Sequence, residues 1–473
     1  MLFTTLEYLI FFLLAAAAHH LTPGKHRWAV MVLAGLAFLS WASPIHAVAA
    51  VGMAAVNYGT AIAVDRWAET PRGTRFLWLA LILDVGVLAY FKYQGFFVEN
   101  VNALGGALGH SPGLHARAVL LPLGISYYTF QLIGYNLEVH WGREAPERHF
   151  GRFLASVLFF PKLVAGPIER PHRFFGQTEK KATSDDVAIG LRRIGWGLFK
   201  KVVIADRVAL FVDLVYQRPT DLHGLPLLVG IGLYTVQVYC DFSGYTDIAL
   251  GSARVLGVEL SPNFDRPFSA RSITDFWRRW HISLSSWTND YIYKPLSMWV
   301  SLSTRWGLGG VLLSVLVTFF VLGIWHGPRW SFVLFGLIHG AAVCFELLTQ
   351  RPRAALAARL SPRAAALVGN ALTVGFYAFS CVFFRARTVR EGLHVVSHAF
   401  RGLGDLGSLS LFQPLAFHGL ILAGLLALYL GYRLLGQRGE ERRGPRGIFD
   451  YAMVMAIFVL GVFETNQFVY VQF

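Results

Sequence analysis

Residues 272–284 read Ser-Ile-Thr-Asp-Phe-Trp-Arg-Arg-Trp-His-Ile-Ser-Leu, gathering two tryptophans, two arginines and a histidine in one short stretch. Ser272 followed by Asp275 is a helix-start signature, because the hydroxyl accepts from an orphan backbone N–H and the carboxylate sits at the positive end of the helix dipole. On one short helix Trp277, Trp280, His281 and Leu284 would share a face, with Arg278 and Arg279 pointing elsewhere. An imidazole in an aromatic wall beside fixed positive charge suits acyl or phosphate chemistry.

A second histidine stands in Trp325-His326-Gly327-Pro328, where Gly-Pro stops or kinks the helix directly after the ring. Burying it in a hydrophobic hairpin costs desolvation, yet an ordinary imidazole pKa of about 6.5 suits it to take a proton from a hydroxyl nucleophile. The residues alone leave it equally open as an interfacial histidine beside Arg329 and Trp330. His281 stays open between a direct catalytic part and support in the wall. His339, in Gly336-Leu337-Ile338-His339-Gly340, has small neighbours that favour close helix packing and a hydrogen-bonded structural role.

Membrane helices must position these side chains. Hydrophobic residues make up 55% of the 473 and charged residues 15%, with a mean hydropathy of +0.49, the composition of an all-α polytopic membrane protein. Apolar runs occupy residues 3–18, 28–41, 47–64, 76–91, 119–133, 153–165, 189–214, 225–240, 308–324, 331–348, 364–384, 411–435 and 448–463. A crossing needs about 20 residues, so short runs such as 153–165 read as re-entrant or half-buried, leaving about eleven crossings. The first run ends in four alanines but its leader carries Glu7 and no Lys or Arg, which favours an uncleaved span. Residues 1–473 read as one membrane domain.

The net charge of +14 lies beside the spans, as the positive-inside rule expects, and does not call for nucleic acid. Lys25 and Arg27, then Arg66, Arg72 and Arg75, mark cytoplasmic loops and put the N-terminus outside. Arg143, Arg148 and Arg152 precede residues 153–165, and Arg170, Arg173, Lys180 and Lys181 follow, so that run enters and leaves on the cytoplasmic side. Later the alternation breaks: Arg351, Arg353, Arg359 and Arg363 suggest cytoplasm, as do Arg438, Arg442, Arg443 and Arg446, which strands Arg385, Arg387 and Arg390 outside.

Cys240, Cys344 and Cys381 have neither metal-ligand nor redox spacing and read as small core residues. Asp241-Phe242-Ser243-Gly244-Tyr245-Thr246-Asp247 closes the run 225–240 and reads as a broken helix whose carboxylates pair with Arg266, Arg278 or Arg279. Pro161, Gly166 and Pro167 punctuate a segment suited to a re-entrant helix lining a cavity. Asp84, alone in its run, reads as a hydrogen-bonded packing residue. Walker, Rossmann, zinc-protease and serine-hydrolase motifs are absent, so the chemistry rests on histidine, with no metal expected.

Several blocks together resemble the membrane-bound O-acyltransferase family, in its bacterial alginate O-acetylation branch. They are Tyr90-Phe91-Lys92-Tyr93, Pro122-Leu123-Gly124-Ile125-Ser126-Tyr127-Tyr128-Thr129-Phe130-Gln131, residues 160–168, Gly197-Leu198-Phe199-Lys200-Lys201, residues 241–249, Asn263-Phe264, residues 276–284 and Trp325-His326-Gly327, in the family's order over about residues 80–345. The resemblance implies that His326 is the catalytic histidine and His281 a second histidine near the reaction centre. It also implies a rim of transmembrane and re-entrant helices around a thin centre, with a tunnel for an activated acyl group. Two stretches depart from the family's pattern: residues 288–298, where relatives have an arginine before Asp-Tyr and a Gly-Gly-Asn-Arg loop, and Pro328-Arg329-Trp330.

The expected function is an O-acyltransferase of the bacterial inner membrane, moving an acyl group, acetyl by preference, from a cytoplasmic thioester to a hydroxyl acceptor. The resemblance implies no bound cofactor, acetyl-CoA or an acyl-carrier thioester as donor, and an exopolysaccharide acceptor reached through a periplasmic acyltransferase partner. Arg278 and Arg279 would steer the anionic donor, or else serve as topology anchors. The competing readings are a transporter or flippase of a lipid-linked or anionic molecule, which lacks the inverted repeat of broken helices, and a non-catalytic scaffold for polysaccharide export.

Overall fold

The computed structural model describes residues 1, 3–110, 112–436 and 447–462. Among these every regular element is a helix. The first half holds α1 (Leu6–Leu21), α2 (Arg27–Ala42), α3 (Pro44–Arg66), α4 (Pro71–Leu88), α5 (Gln94–Ala107), α6 (Ile125–His140), α7 (Phe150–Leu158), α8 (Pro171–Phe175), α9 (Ser184–Leu198), α10 (Asp206–Gln217) and α11 (Leu225–Val255). The second half holds α12 (Ile273–Trp277), α13 (Ile282–Thr288), α14 (Lys294–Ser303), α15 (Leu308–His326), α16 (Trp330–Leu348), α17 (Gln350–Ala357), α18 (Pro362–Arg385), α19 (Val389–His398), α20 (Ala416–Gly436) and α21 (Gly447–Leu460). Wider π-helical turns join α4 to α5 (Ala89–Tyr93), α9 to α10 (Phe199–Ala205) and α13 to α14 (Asn289–Tyr293).

Seven described stretches are long and apolar enough to cross a membrane: α3, Pro71–Ala107, α11, α15, α16, α18 and Leu406–Leu425. α1 and Asp450–Leu460 are shorter apolar helices. The chain is a multi-pass membrane protein. α6 is different: its 16 residues reach about 24 Å, short of the ~30 Å hydrocarbon layer, and 14 of them are buried. It is a central helix walled by protein. Residues 153–165 fall on the 9-residue α7 and a following turn, all buried, in keeping with a segment that does not cross.

Small residues set the tightest crossings. On α9 and α11 a side chain at Gly190 would meet the Gly251 carbonyl at 2.7 Å, and one at Gly197 would meet the Gly244 carbonyl at 2.6 Å. Two glycine pairs, two helical turns apart, thus let the backbones touch. Buried amides act as glue elsewhere: Asn136 donates to Asn57 (2.6 Å), and Asn57 donates to Asp84 (2.7 Å), joining α3, α4 and α6. Asp84 has the packing role its isolation suggested.

Two expectations are corrected. Residues 272–284 are not one helix: α12 ends at Trp277, and α13 begins only after His281, which adopts a left-handed backbone (φ 43°, ψ 54°). The cause is a tether: Ile282 donates to the Asn263 carbonyl (3.0 Å), Asp265 to that of Arg279 (3.0 Å), and Phe264 and Trp280 form a β-bridge. The predicted cap itself forms, with Ser272 Oγ accepting from the Asp275 amide at 3.0 Å. Residues 241–247 do not break a helix either, since α11 runs unbroken for 31 residues. Their carboxylates pair with lysines of the π-turn after α9, Asp241 with Lys201 (2.8 Å) and Asp247 with Lys200 (2.5 Å), and Asp247 also with Arg193 (2.9 Å). Lysines in the Phe199–Ala205 turn face α11, whereas Arg279 is held by Asp275 (2.9 Å).

The stranded arginines are placed by α18. Ser331 Oγ donates to the Ala386 carbonyl (3.3 Å), so Arg385, Arg387 and Arg390 share the His326 end of the α15–α16 hairpin. At its other end Glu346 accepts from Ile273 (2.7 Å) and Thr274 (3.0 Å), beside Arg353. At the His326 end Arg385 is held by Asp213 (2.9 Å). The cluster at Arg438, Arg442, Arg443 and Arg446 lies outside the described residues.

Candidate active site

His326 is the last residue of α15 and 3% exposed. Its ring is enclosed by Phe384 (centroids 4.9 Å apart), Trp325 (5.1 Å), Phe335 (6.2 Å) and Phe332 (6.3 Å). Gly327 follows in an extended conformation, and a side chain there would strike the Phe332 ring at 2.6 Å, so the turn closes tightly over the histidine.

Trp325 is the hub. Besides His326, its indole faces Tyr127 (5.3 Å), His281 (5.6 Å) and Phe130 (5.8 Å). The structure therefore brings the two sequence-predicted histidines together around one indole. His281 is fully buried and lies edge-on to Phe242 of α11 at 4.7 Å. Its left-handed backbone is a strained choice for a residue with a side chain, costing on the order of 1–3 kcal/mol, and the Asn263–Asp265 tether holds it there. Ser283 beside it donates to Asn263 Oδ1 (2.6 Å) and accepts from the Ile168 amide (3.0 Å), linking the His281 turn to the segment after α7.

His339 is engaged differently. Its Nδ1 accepts from Trp277 Nε1 (3.1 Å), which leaves Nε2 to carry the proton toward Ser380 Oγ (2.9 Å). Both nitrogens are thus spent joining α12, α16 and α18, the packing role expected of it.

Two residues of the Tyr90-Phe91-Lys92-Tyr93 block, to which the sequence assigned no individual role, secure the end of α15. Tyr93 donates its hydroxyl to the Ile324 carbonyl (2.7 Å), and Lys92 donates to the Trp325 carbonyl (2.7 Å) and to Ser126 Oγ (3.1 Å). Lys92 satisfies a carbonyl that the helix C-terminus leaves orphaned, and Tyr93 adds a second donor to the Ile324 carbonyl, which already accepts from the Gly327 amide (3.1 Å). The available signal was a lysine directly following the apolar run 76–91, an expensive residue at membrane depth. The π-turn Ala89–Tyr93 widens the helix where that side chain is presented, a setting in which such turns recur at functional sites.

A narrow cleft, open to solvent, lies toward the other end of α6, lined by Gln131, Glu138, Arg170, His172, Trp287 and Tyr291 among others. Its floor is Phe130, stacked on Trp287 at 3.9 Å and in turn facing Trp325. Arg170 guards the mouth, paired with Asp290 and with Glu138 (3.4 Å). Burial alone would raise the Asp290 carboxyl, but hydrogen bonds from Lys294 and Arg170 hold it below the usual carboxylate range. Of the arginines singled out earlier, Arg279 is engaged by Asp275, while Arg278 is exposed. Among the described residues no group of three or more His, Cys, Asp or Glu side chains could hold a metal ion.

Residues 148–386 match the model of the membrane-bound O-acyltransferase family. The chain belongs to that family. It is 31% identical over 443 residues to a probable alginate O-acetylase of Pseudomonas syringae pv. tomato, covering 93% of this chain and 82% of the relative. It is 31% identical over 411 residues to a peptidoglycan O-acetyltransferase of Helicobacter pylori (80% and 74% covered). A teichoic acid D-alanyltransferase of Bacillus subtilis is 29% identical over 293 residues (57% and 73%). Within this family the chain is an O-acyltransferase. The matched segment contains His281, His326 and His339, and begins beyond Lys92 and the α6 cleft residues Phe130 and Glu138.

Proposed function

We propose that the protein transfers an acetyl group from a thioester on the cytoplasmic side of a bacterial inner membrane to a hydroxyl presented on the other side, with His326 as general base. The observation that carries this reading is the relay Phe130–Trp325–His326. It links a solvent-open cleft on the side of the basic loops to a histidine at the opposite end of the α15–α16 hairpin. A thioester is already activated, so the site needs chiefly to position it, remove a proton and stabilise the oxyanion. In the α6 cleft Arg170 pairs with Asp290 and Glu138 and His172 with Glu144 (3.6 Å), so an anionic donor, acetyl-CoA or a phosphopantetheine carrier, meets Arg170 by displacing those carboxylates, with exposed Arg278 supplying the steering charge. His281 is proposed as the second histidine, supporting the acyl group against Trp325. By analogy with the named relatives the final acceptor is a cell-envelope polymer, an exopolysaccharide by preference, reached through a periplasmic acyltransferase; analogy of this kind supports a class of acceptor only.

The test uses the purified full chain in proteoliposomes with labelled acetyl-CoA and a small hydroxyl acceptor. His326→Ala should lower turnover by about 10²–10⁴-fold with an unchanged melting midpoint. A folded variant keeping more than about a tenth of the activity overturns the assignment. Movement of a lipid-linked substrate with no turnover of any acyl donor would instead favour the transporter reading.

A further inference from the structure

Lys92 is only 8% exposed, yet a lysine ammonium carries three donors, and two are committed, to the Trp325 carbonyl and Ser126. Capping a helix end does not require a charge; Tyr93 donates to the preceding carbonyl with a neutral hydroxyl. Nζ sits 5.8 Å from the centroid of the Trp325 ring, the indole that both His281 and His326 adjoin. Around the same indole two more buried donors, Trp325 Nε1 and Tyr127 Oη, have no hydrogen-bond partner among the described residues. Buried donors without acceptors are costly unless something polar is to be received.

We propose that Lys92 is a catalytic residue, its remaining N–H donated to the carbonyl oxygen of the acyl group as that oxygen becomes an oxyanion. The inference rests on His326 being the general base. In the step, the acceptor oxygen bonds to the acyl carbon, the carbonyl π pair moves onto oxygen, and the acceptor's proton passes to His326. Collapse re-forms the C=O bond and expels the donor's sulfur, which recovers the proton from His326; Lys92 donates a hydrogen bond throughout and transfers nothing. A fixed charge in a water-poor site favours the developing negative charge far more than the ground-state carbonyl, and its two anchors spare it reorganisation.

Lys92→Gln keeps donors for the cap and removes the charge. With labelled acetyl-CoA as probe, kcat should fall by about 10²–10³-fold while KM for acetyl-CoA stays within about twofold, because the contact strengthens only in the transition state. Lys92→Arg should recover at least about tenfold over Lys92→Gln. The deciding measurement is made on the His326→Ala background, following residual thioester hydrolysis. A group that merely positions His326 has nothing left to position, so Lys92→Gln would cost nothing further; a direct oxyanion donor costs another tenfold or so. A Lys92→Gln enzyme within about threefold of wild type, or no further loss on the His326→Ala background, overturns the proposal. If Lys92→Gln does not fold, Lys92→Arg carries the test: folded and active supports it, folded and inert overturns it. Full activity of His326→Ala alone would sink the general-base reading and leave the kcat effect of Lys92 to stand or fall separately.

Discussion

Gly323→Ala should disable the enzyme without touching a reacting atom. Gly323 lies one turn before His326, facing α16, and a Cβ there would sit 2.5 Å from the Phe332 carbonyl and 3.1 Å from the Gly336 Cα. Ordinary contact begins near 3.4 Å, so the hairpin must open by about 0.9 Å, and overpacking of this kind costs about 1–3 kcal/mol. The displaced wall includes Phe332 and Phe335, two of the rings enclosing His326. A displacement approaching 1 Å at a proton-transfer site is enough for a loss of about 10²-fold. The assay pairs labelled acetyl transfer with thermal unfolding in detergent. Gly309→Ala in the same helix is the control, since nothing lies within 4 Å of a Cβ there and alanine is the better helix former by about 1 kcal/mol. If Gly323→Ala melts like wild type and turns over at more than about a third of its rate, close hairpin packing does not hold His326.

Arg278→Gln should weaken donor use at low salt, where steering is strongest, with little change at saturation, whereas Arg279→Gln should lower stability by loosening the segment its pair with Asp275 holds; equal donor dependence in wild type and Arg278→Gln rules out steering. Asp241→Leu leaves the buried Lys201 with Asp206 as its remaining carboxylate partner in the pair seen here, so a loss of about 3 kcal/mol is expected, read as a lower melting midpoint with His326 chemistry intact in the surviving fraction; an unchanged midpoint contradicts it. A cysteine replacing Pro328, in a background free of Cys240, Cys344 and Cys381, should react with an impermeant thiol reagent from the periplasmic side, and one replacing Arg353 from the cytoplasmic side only. Labelling of both from one side refutes a hairpin with His326 and Glu346 at opposite ends.

What could be read from the sequence was governed by local rules. The apolar runs, the Ser272 cap, the shortness of residues 153–165 and the helix stop after His326 all depend on neighbours a few positions away, and each appears in the structure. The break at His281 could not be read that way. The pattern around it is helical, and what overrides it is pairing with Asn263–Asp265, a contact between segments that propensity does not see. The same holds for Asp241 and Asp247: composition said they must be paired, but their partners depended on α9 crossing α11 through glycine pairs, and that register placed Lys200 and Lys201 against them before any loop arginine.

The three π-turns share a logic that ties these failures to function. Each widens a helix at a block carrying charge: Lys92 in the first, Lys200 and Lys201 in the second, Asp290 in the third. A regular helix would space its side chains by 100° per residue and satisfy every backbone amide; an inserted residue gives up part of that regularity to re-aim a side chain. Lys92 reaches the end of α15, Lys201 reaches α11, and Asp290 reaches Arg170 at the mouth of the cleft. All three are contacts between elements separated in the chain. A sequence shows Lys200 and Lys201 as anomalies in an apolar run and Lys92 just past the end of one; only the fold shows which element each charge fastens to which.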